Sequence, residues 1–326
     1  MRVGIFGYGL AGRVFHAPLI NLAGMEIVAI QTTNSERASQ ARADFPNALI
    51  CSDSNELLSQ KLDLAVVASV NTAHEVNAKA AIDAGVAVVV DKPMATTLAG
   101  TRELFNYAES KNVPITVFYN RLWDSDTLTI KSNLELIGTP HRFDGRFERW
   151  RPDLAAQSWR EQTSSAQGGG LLLDLQSHLV STAIDCFGPA KLKYAKIQSV
   201  RGASDDDVLL VLEHDNGCVS SLAASAISGA PGPRIRLLGD KGALLVNELD
   251  PQEALLRSGN YVDGDKRSKV ELHRGSEITE VLAVPGNYQS FYEQMSNFLQ
   301  GNGQLPVSKT LVLQVAEIID QARNFK

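Results

Sequence analysis

The sequence of 326 residues is poor in cysteine and has no long apolar run. Its three cysteines, Cys51, Cys186 and Cys218, stand far apart and lack metal-ligand spacing. That excludes a disulfide framework, and a reducing compartment is expected. No stretch approaches the ~18 consecutive apolar residues a membrane helix needs, so no membrane partner is expected. Basic charge is also in short supply: 31 Lys and Arg against 37 Asp and Glu leave a net charge of −6. This balance argues against nucleic acid as the main partner, while leaving room for a local basic pocket. Repeats and low-complexity tracts are absent. Met1-Arg2 leads directly into an apolar stretch, without the n-region, h-region and cleavage site of a secretory leader. The expected location is cytoplasmic.

What remains is an ordinary globular composition, 44% apolar and 21% charged. The length exceeds what one hydrophobic core usually serves, so two domains are expected. Through residue ~120, strand and helix patterns alternate, which implies a parallel, doubly wound α/β sheet. Apolar runs mark strands at 3–6, 26–30, 63–68, 86–90 and 114–118. Helices are expected at 10–22, with Pro18 imposing a kink or break, at 35–44 behind a Ser35 cap, at 72–84 and at 98–111. Beyond residue 138, alternating stretches at 142–150, 191–200, 208–213, 219–224 and 234–238 read as antiparallel strands separated by turn pairs. One long helix is expected at about 170–187, and two more end the chain. The expected division is 1–120 and 121–326, the second an α+β domain with a large, mostly antiparallel sheet. The last helices are free to pack back on the first domain.

The pattern Gly7-Tyr-Gly9-Leu10-Ala11-Gly12 follows a strand and opens a helix. In that context the three glycines have separate jobs. Gly7 permits a tight turn, Gly9 lets backbone approach a pyrophosphate, and Gly12 lets the helix pack on the sheet. The helix N-terminus, including Leu10 and Ala11, then presents N–H groups and partial positive charge to phosphate. An NAD site usually carries an acid ~20 residues on. This chain has Thr32, Thr33 and Asn34 there, followed by Arg37. Hydroxyl donors and a cation without an opposing acid favour NADP over NAD. Glu36 on a ribose and Arg37 as a solvated helix charge form the opposite reading.

Two further segments carry chemistry. Asp91-Lys92-Pro93 directly follows a strand, where doubly wound sheets face their ligand crevice. Lys92 there can donate to a substrate oxygen and, partly desolvated, act in proton transfer. In Gly168-Gly-Gly-Leu-Leu-Leu-Asp174-Leu-Gln-Ser-His178, the acid and imidazole are four apart on the expected helix. A carboxylate can orient an imidazole that removes a hydroxyl proton as hydride leaves the same carbon. No third ligand has suitable spacing, so no metal is expected. His16 and His74 flank the expected crevice and read as packed or capping histidines. Arg149 and Arg151, and the run 205–207, read as solvated charge.

These motifs resemble the Gfo/Idh/MocA (glucose-fructose oxidoreductase/inositol dehydrogenase) family. Carrying segments are the glycine turn, Ser69-Val-Asn71-Thr-Ala-His74, Asp91-Lys92-Pro93 and the stretch 168–178. Asn120-Arg-Leu-Trp-Asp124, Arg149-Trp150-Arg-Pro152, Ser158-Trp159-Arg160-Glu161 and Gly232-Pro-Arg234 are similar to its NADP-dependent scyllo-inositol dehydrogenase branch. The resemblance implies a Rossmann domain followed by a domain whose open sheet forms an oligomer interface, in a dimer or tetramer. It implies His178 as proton-transfer residue with Asp174 beside it, and Lys92 holding the substrate hydroxyl. Trp150 joins Lys92 and His178 as an expected substrate contact. Ser69, Asn71, His74, Asp91, Asn120, Trp159 and Arg160 match cofactor-lining positions. The implied substrate is an inositol, sugar or related polyol. The chain departs from the family in having Val70 for proline, Gln176 for glycine, Ser181 for aspartate and Thr33-Asn34 near a frequent arginine. A non-catalytic dinucleotide sensor and a reductase of aldehydes or dicarbonyls are the rival readings.

Overall fold

Leu64-Ala-Val-Val67 has no polar position, so as a strand it needs cover on both faces, and all four residues are buried. The computed structural model describes residues 1–154, 161, 163–164 and 168–325. Strands and helices alternate first: β1 (Arg2–Phe6), α1 (Ala17–Leu22), β2 (Glu26–Gln31), α2 (Ser35–Asp44), β3 (Leu49–Cys51), α3 (Ser54–Leu58), β4 (Leu64–Val67), α4 (His74–Asp83), β5 (Ala87–Asp91), α5 (Leu98–Ser110) and β6 (Ile115–Phe118). Then come α6 (Ser125–Ser132), β7 (Pro140–Glu148), α7 (Leu171–Asp174), α8 (Gln176–Phe187), β8 (Ala190–Gln198), β9 (Asp207–His214), β10 (Val219–Ser225), β11 (Ile235–Gly239), β12 (Gly242–Val246), α9 (Gln252–Ser258), β13 (Val270–Arg274), β14 (Glu277–Val281), α10 (Gln289–Leu299) and α11 (Lys309–Arg323).

The chain divides into two compact units. The first takes Met1–Tyr119, Glu253–Tyr261 and Tyr288–Lys309; the second takes the remainder. The first holds a parallel sheet in the order β3-β2-β1-β4-β5-β6. That order reverses direction between β1 and β4, the switch point where such sheets bind ligands outside their carboxyl ends. The second unit holds a sheet in the order β14-β13-β12-β11-β7-β10-β9-β8, antiparallel except between β7 and β10. In β9 burial alternates along the strand, and α7 and α8 lie against it and against β10.

Several local expectations are corrected. Asn34, not Ser35, caps α2: it is extended, and its side chain accepts from the Arg37 N–H at 2.9 Å. The helix expected at 10–22 is a π-helical turn, Ala11–His16, running into α1, with Pro18 in the first turn of α1. Proline supplies no N–H to the preceding turn, so the winding changes there. The single helix at 170–187 is two, broken at Leu175. His178 N–H donates to the Leu175 carbonyl at 3.2 Å, and the Ser177 hydroxyl to that of Leu173 at 2.8 Å, so the regular ladder is interrupted. Asp205 and Asp206 are buried rather than solvated. Asp205 caps α7 through the Leu172 N–H at 2.6 Å, and Asp206 accepts from Arg201 Nε at 3.1 Å.

Candidate active site

At the end of β1, Gly7 takes φ +93° and donates its N–H to the Gln31 carbonyl at 2.8 Å. A Cβ on Gly7 would lie 2.8 Å from the Ala68 carbonyl oxygen, and one on Gly12 would overlap the Gly7 carbonyl. Both glycines therefore answer crowding inside the chain. Gly9 differs. The nearest atom to a Cβ built there is Arg37 Nη1, at an ordinary 3.5 Å. The chain itself leaves that space open, as close backbone approach of an outside group requires. A cation stands beside the opening, and exposed Leu10 and half-buried Ala11 lead into the helical turn whose N-terminal end favours anions. A dinucleotide phosphate fits this donor set.

Tyr8 is buried. Its hydroxyl donates to Asp44 Oδ2 at 2.8 Å, and Arg13 Nε to the same oxygen at 2.7 Å. The Arg13 hydrogen bond, with that of Tyr8, holds the Asp44 carboxyl below its usual range despite partial burial. The glycine turn is thus tethered to the last turn of α2, whose first turn carries Arg37. Thr32 is buried with its hydroxyl accepting from the Asn34 N–H at 3.4 Å, while Thr33 is exposed.

Past β4 and β5 lies a second group in the same unit. Ser69 is half-buried and its hydroxyl accepts from Asn77 at 3.1 Å; Asn71 is buried. His74 is fully buried, with Nδ1 2.8 Å from the Pro93 carbonyl oxygen and Nε2 3.2 Å from that of Ser69. Burial holds its pKa below the usual value, against the pull of Asp91 and the two carbonyls. Asp91 ends β5, and Lys92, half-buried, follows it. Burial works against the Asp91 anion, but the facing His16, the Lys92 charge and the nearby His74 outweigh it and hold the carboxyl at about 2. His16 is wholly buried, its Nδ1 2.5 Å from Tyr292 Oη and its Nε2 3.7 Å from Asp91 Oδ1.

In the second unit, Asp174 ends α7 half-buried and His178 is buried in α8. Between them Gln176, which stands where glycine was expected from the resemblance, donates through Nε2 to the carbonyls of Val208 and Leu222 at 3.0 and 2.9 Å. It pins the start of α8 to β9 and β10. The Phe147 ring lies edge-on to His178, centroids 6.5 Å apart. Arg234 and Arg121 sit over the same ring at 3.9 and 5.4 Å. Both arginines fall in segments that carry the resemblance, but sequence reasoning gives them no role. Arginine on an aromatic face leaves no spacing signal, because the partners lie far apart in the chain. Asn120 is buried, whereas Trp150 is 60% exposed and bridges to Ile227. Trp159 and Arg160 lie outside the described residues. Among the described residues no group of His, Cys, Asp and Glu could hold a metal ion, and no helix is long and apolar enough to cross a membrane.

A doubly wound parallel sheet with an open phosphate turn at its switch point defines a dinucleotide-binding Rossmann unit. Comparison with known proteins agrees. Residues 1–119 match the family described as "Oxidoreductase family, NAD-binding Rossmann fold", and residues 133–245 the "GFO/IDH/MocA C-terminal domain". The chain is 35% identical over 334 residues to the oxidoreductase YdgJ of Escherichia coli, covering 98% of this chain and 94% of that one. It is 31% identical over 339 residues to scyllo-inositol 2-dehydrogenase (NADP(+)) IolW of Bacillus subtilis, covering 99% and 92%. The solved structure of the YPO2259 oxidoreductase of Yersinia pestis superposes with a TM-score of 0.88 at 32% identity, covering 99% and 94%. The chain belongs to the Gfo/Idh/MocA family of oxidoreductases. It is an NAD(P)-dependent enzyme with a small-molecule substrate.

Proposed function

We propose that this enzyme moves a hydride between NADP(H) and a ring carbinol or ketone carbon of an inositol, sugar or related polyol. The observation that carries the reading is the carboxyl edge of the parallel sheet. It bears a phosphate turn open at Gly9 with Arg37 beside it, and Lys92 one residue past β5. The name of the Bacillus relative, an NADP-dependent inositol dehydrogenase, supports both cofactor and substrate class.

Bound NADP would supply the hydride acceptor at its nicotinamide ring. The backbone of Gly7, Gly9, Leu10, Ala11 and Gly12 would hold the pyrophosphate, and Thr32, Thr33 and Arg37 the 2′-phosphate side. Ser69, Asn71, Asp91, Asn120, Trp159 and Arg160 would line the remainder, with His74 acting from behind. His178 would take the hydroxyl proton as the C–H bond gives up its hydride, and Asp174 would orient that imidazole. Lys92 would donate to the same oxygen, and Trp150 would cover the substrate ring. The free thiols of Cys51, Cys186 and Cys218 support a cytoplasmic setting. A dimer or tetramer formed through the open sheet completes the reading.

The test is a panel of cyclic polyols and keto-sugars assayed with wild type, Lys92→Ala and His178→Asn. Each substitution should lower kcat ~100-fold or more, the span general acid–base groups supply. Losses well below that in both variants would refute the assigned roles. Tight NADP binding without turnover on any substrate would indicate a sensor, and turnover confined to aldehydes or dicarbonyls the reductase.

A further inference from the structure

We propose that His16 and His74 are positioning residues for Lys92, each set against one of its two chain neighbours. The inference rests on the role given to Lys92 above. Lys92 is the first residue beyond the β5–β6 ladder, whose last pair is Asp91 with Phe118. Sheet hydrogen bonding therefore stops one residue before the side chain that must be placed.

The two histidines take over from the two sides. On the Asp91 side, Tyr292 Oη lies 2.5 Å from His16 Nδ1. On the far side of the ring stands the ionised Asp91 carboxylate, which can only accept, so Nδ1 is left to accept from the Tyr292 hydroxyl. The imidazole proton then sits on Nε2, which faces Asp91 Oδ1 at 3.7 Å. The other tautomer would turn a lone pair on the carboxylate. On the Pro93 side, His74 Nδ1 lies 2.8 Å from the Pro93 carbonyl oxygen, while Nε2 lies 3.2 Å from that of Ser69. A neutral imidazole has one N–H to give, and the nearer acceptor is Pro93.

Both side chains are 0% exposed, so neither can touch a substrate or cofactor. Packing alone does not call for them either. An apolar side chain would fill each space without the cost of desolvating an imidazole. Their polar atoms serve the residues they contact, and those residues bracket Lys92.

The experiment is a double-mutant cycle on kcat with the intact protein. His16→Leu, His16→Gln, His74→Leu, His74→Asn and Tyr292→Phe are each made in wild-type and Lys92→Ala backgrounds. Gln restores an amide nitrogen near the Nε2 position, and Asn one near Nδ1. In the wild-type background the Leu variants should lose ~10- to 100-fold in kcat, as misplacing a reacting group does. Gln at 16 and Asn at 74 should recover most of that loss. In the Lys92→Ala background the Leu variants should cause no further loss, because the group they position is gone. Wild-type kcat in the Leu variants, or an equal loss in both backgrounds, would overturn the inference. Should a Leu variant fail to fold, Tyr292→Phe carries the test: a loss of ~3- to 10-fold, absent with Lys92→Ala, is expected, and no loss overturns it. If Lys92→Ala alone keeps wild-type kcat, the lysine's own role and this inference both fall. A large Lys92 effect with additive histidine losses ends only the inference.

Discussion

Gly9→Ala separates folding from cofactor binding. Gly9 has no left-handed φ, and a Cβ there meets nothing closer than Arg37 Nη1 at 3.5 Å. The free protein should tolerate the methyl. Replacing Gly by Ala at a compatible position stabilises by about 0.4–1 kcal/mol through the unfolded chain, so Tm should hold or rise by ~1–3 °C. The bound state should not tolerate it. The methyl occupies the path by which backbone N–H groups reach phosphate. Losing one or two charge-assisted hydrogen bonds costs about 2–4 kcal/mol, or ~30- to 700-fold in Kd. Fluorescence titration with NADPH and a thermal melt of the same sample measure both quantities. Gly12→Ala is the contrast, because its Cβ overlaps the Gly7 carbonyl. It should destabilise by about 1–3 kcal/mol. A folded Gly9→Ala protein that binds NADPH with wild-type affinity would refute the phosphate-turn reasoning.

Arg37→Ala should weaken NADP ~10-fold and leave NAD unchanged, since only NADP carries the 2′-phosphate. Titrations with both dinucleotides check this, and equal losses would remove Arg37 from that role. Gln176→Ala should cost about 1–3 kcal/mol in urea unfolding, because two buried carbonyls lose their donor. An unchanged midpoint would deny the pinning of α8. Burial first, and Asp126 second, push the Asp250 carboxyl up to about 6, above its unfolded value. Its stabilising contribution is therefore complete below the unfolded value of 3.8 and is lost as pH rises through about 6. Wild type should lose about 2 kcal/mol relative to Asp250→Asn between pH 4 and 6. Parallel urea-unfolding curves across that window would contradict it.

The parallel half is legible in the sequence because its strands are apolar on both faces and its glycines sit at fixed offsets. The spacing of Gly7, Gly9 and Gly12 behind a strand is enough to give each its own job. Short elements escape such reading: β3 has three residues, too few for a periodicity. The break at Leu175 is hidden because apolar residues continue through it. It depends on where the Ser177 hydroxyl and the Gln176 amide find partners. Asp205 and Asp206 look solvated for the same reason, since their caps and ion pair are made by residues up to 33 positions away. His16 and His74 stand out in the sequence only as flanking histidines. Their partners, Tyr292 and the Pro93 carbonyl, lie 276 and 19 residues off, beyond any local pattern.

The most direct measurement of the central claim follows the hydride itself. A cyclic polyol deuterated at its carbinol carbons is incubated with enzyme and NADP, and the reduced dinucleotide is examined by NMR. The account predicts deuterium at C4 of NADPH, with transfer lost in His178→Asn. NADPH without deuterium, or no reduction of NADP by any cyclic polyol or sugar, would contradict it.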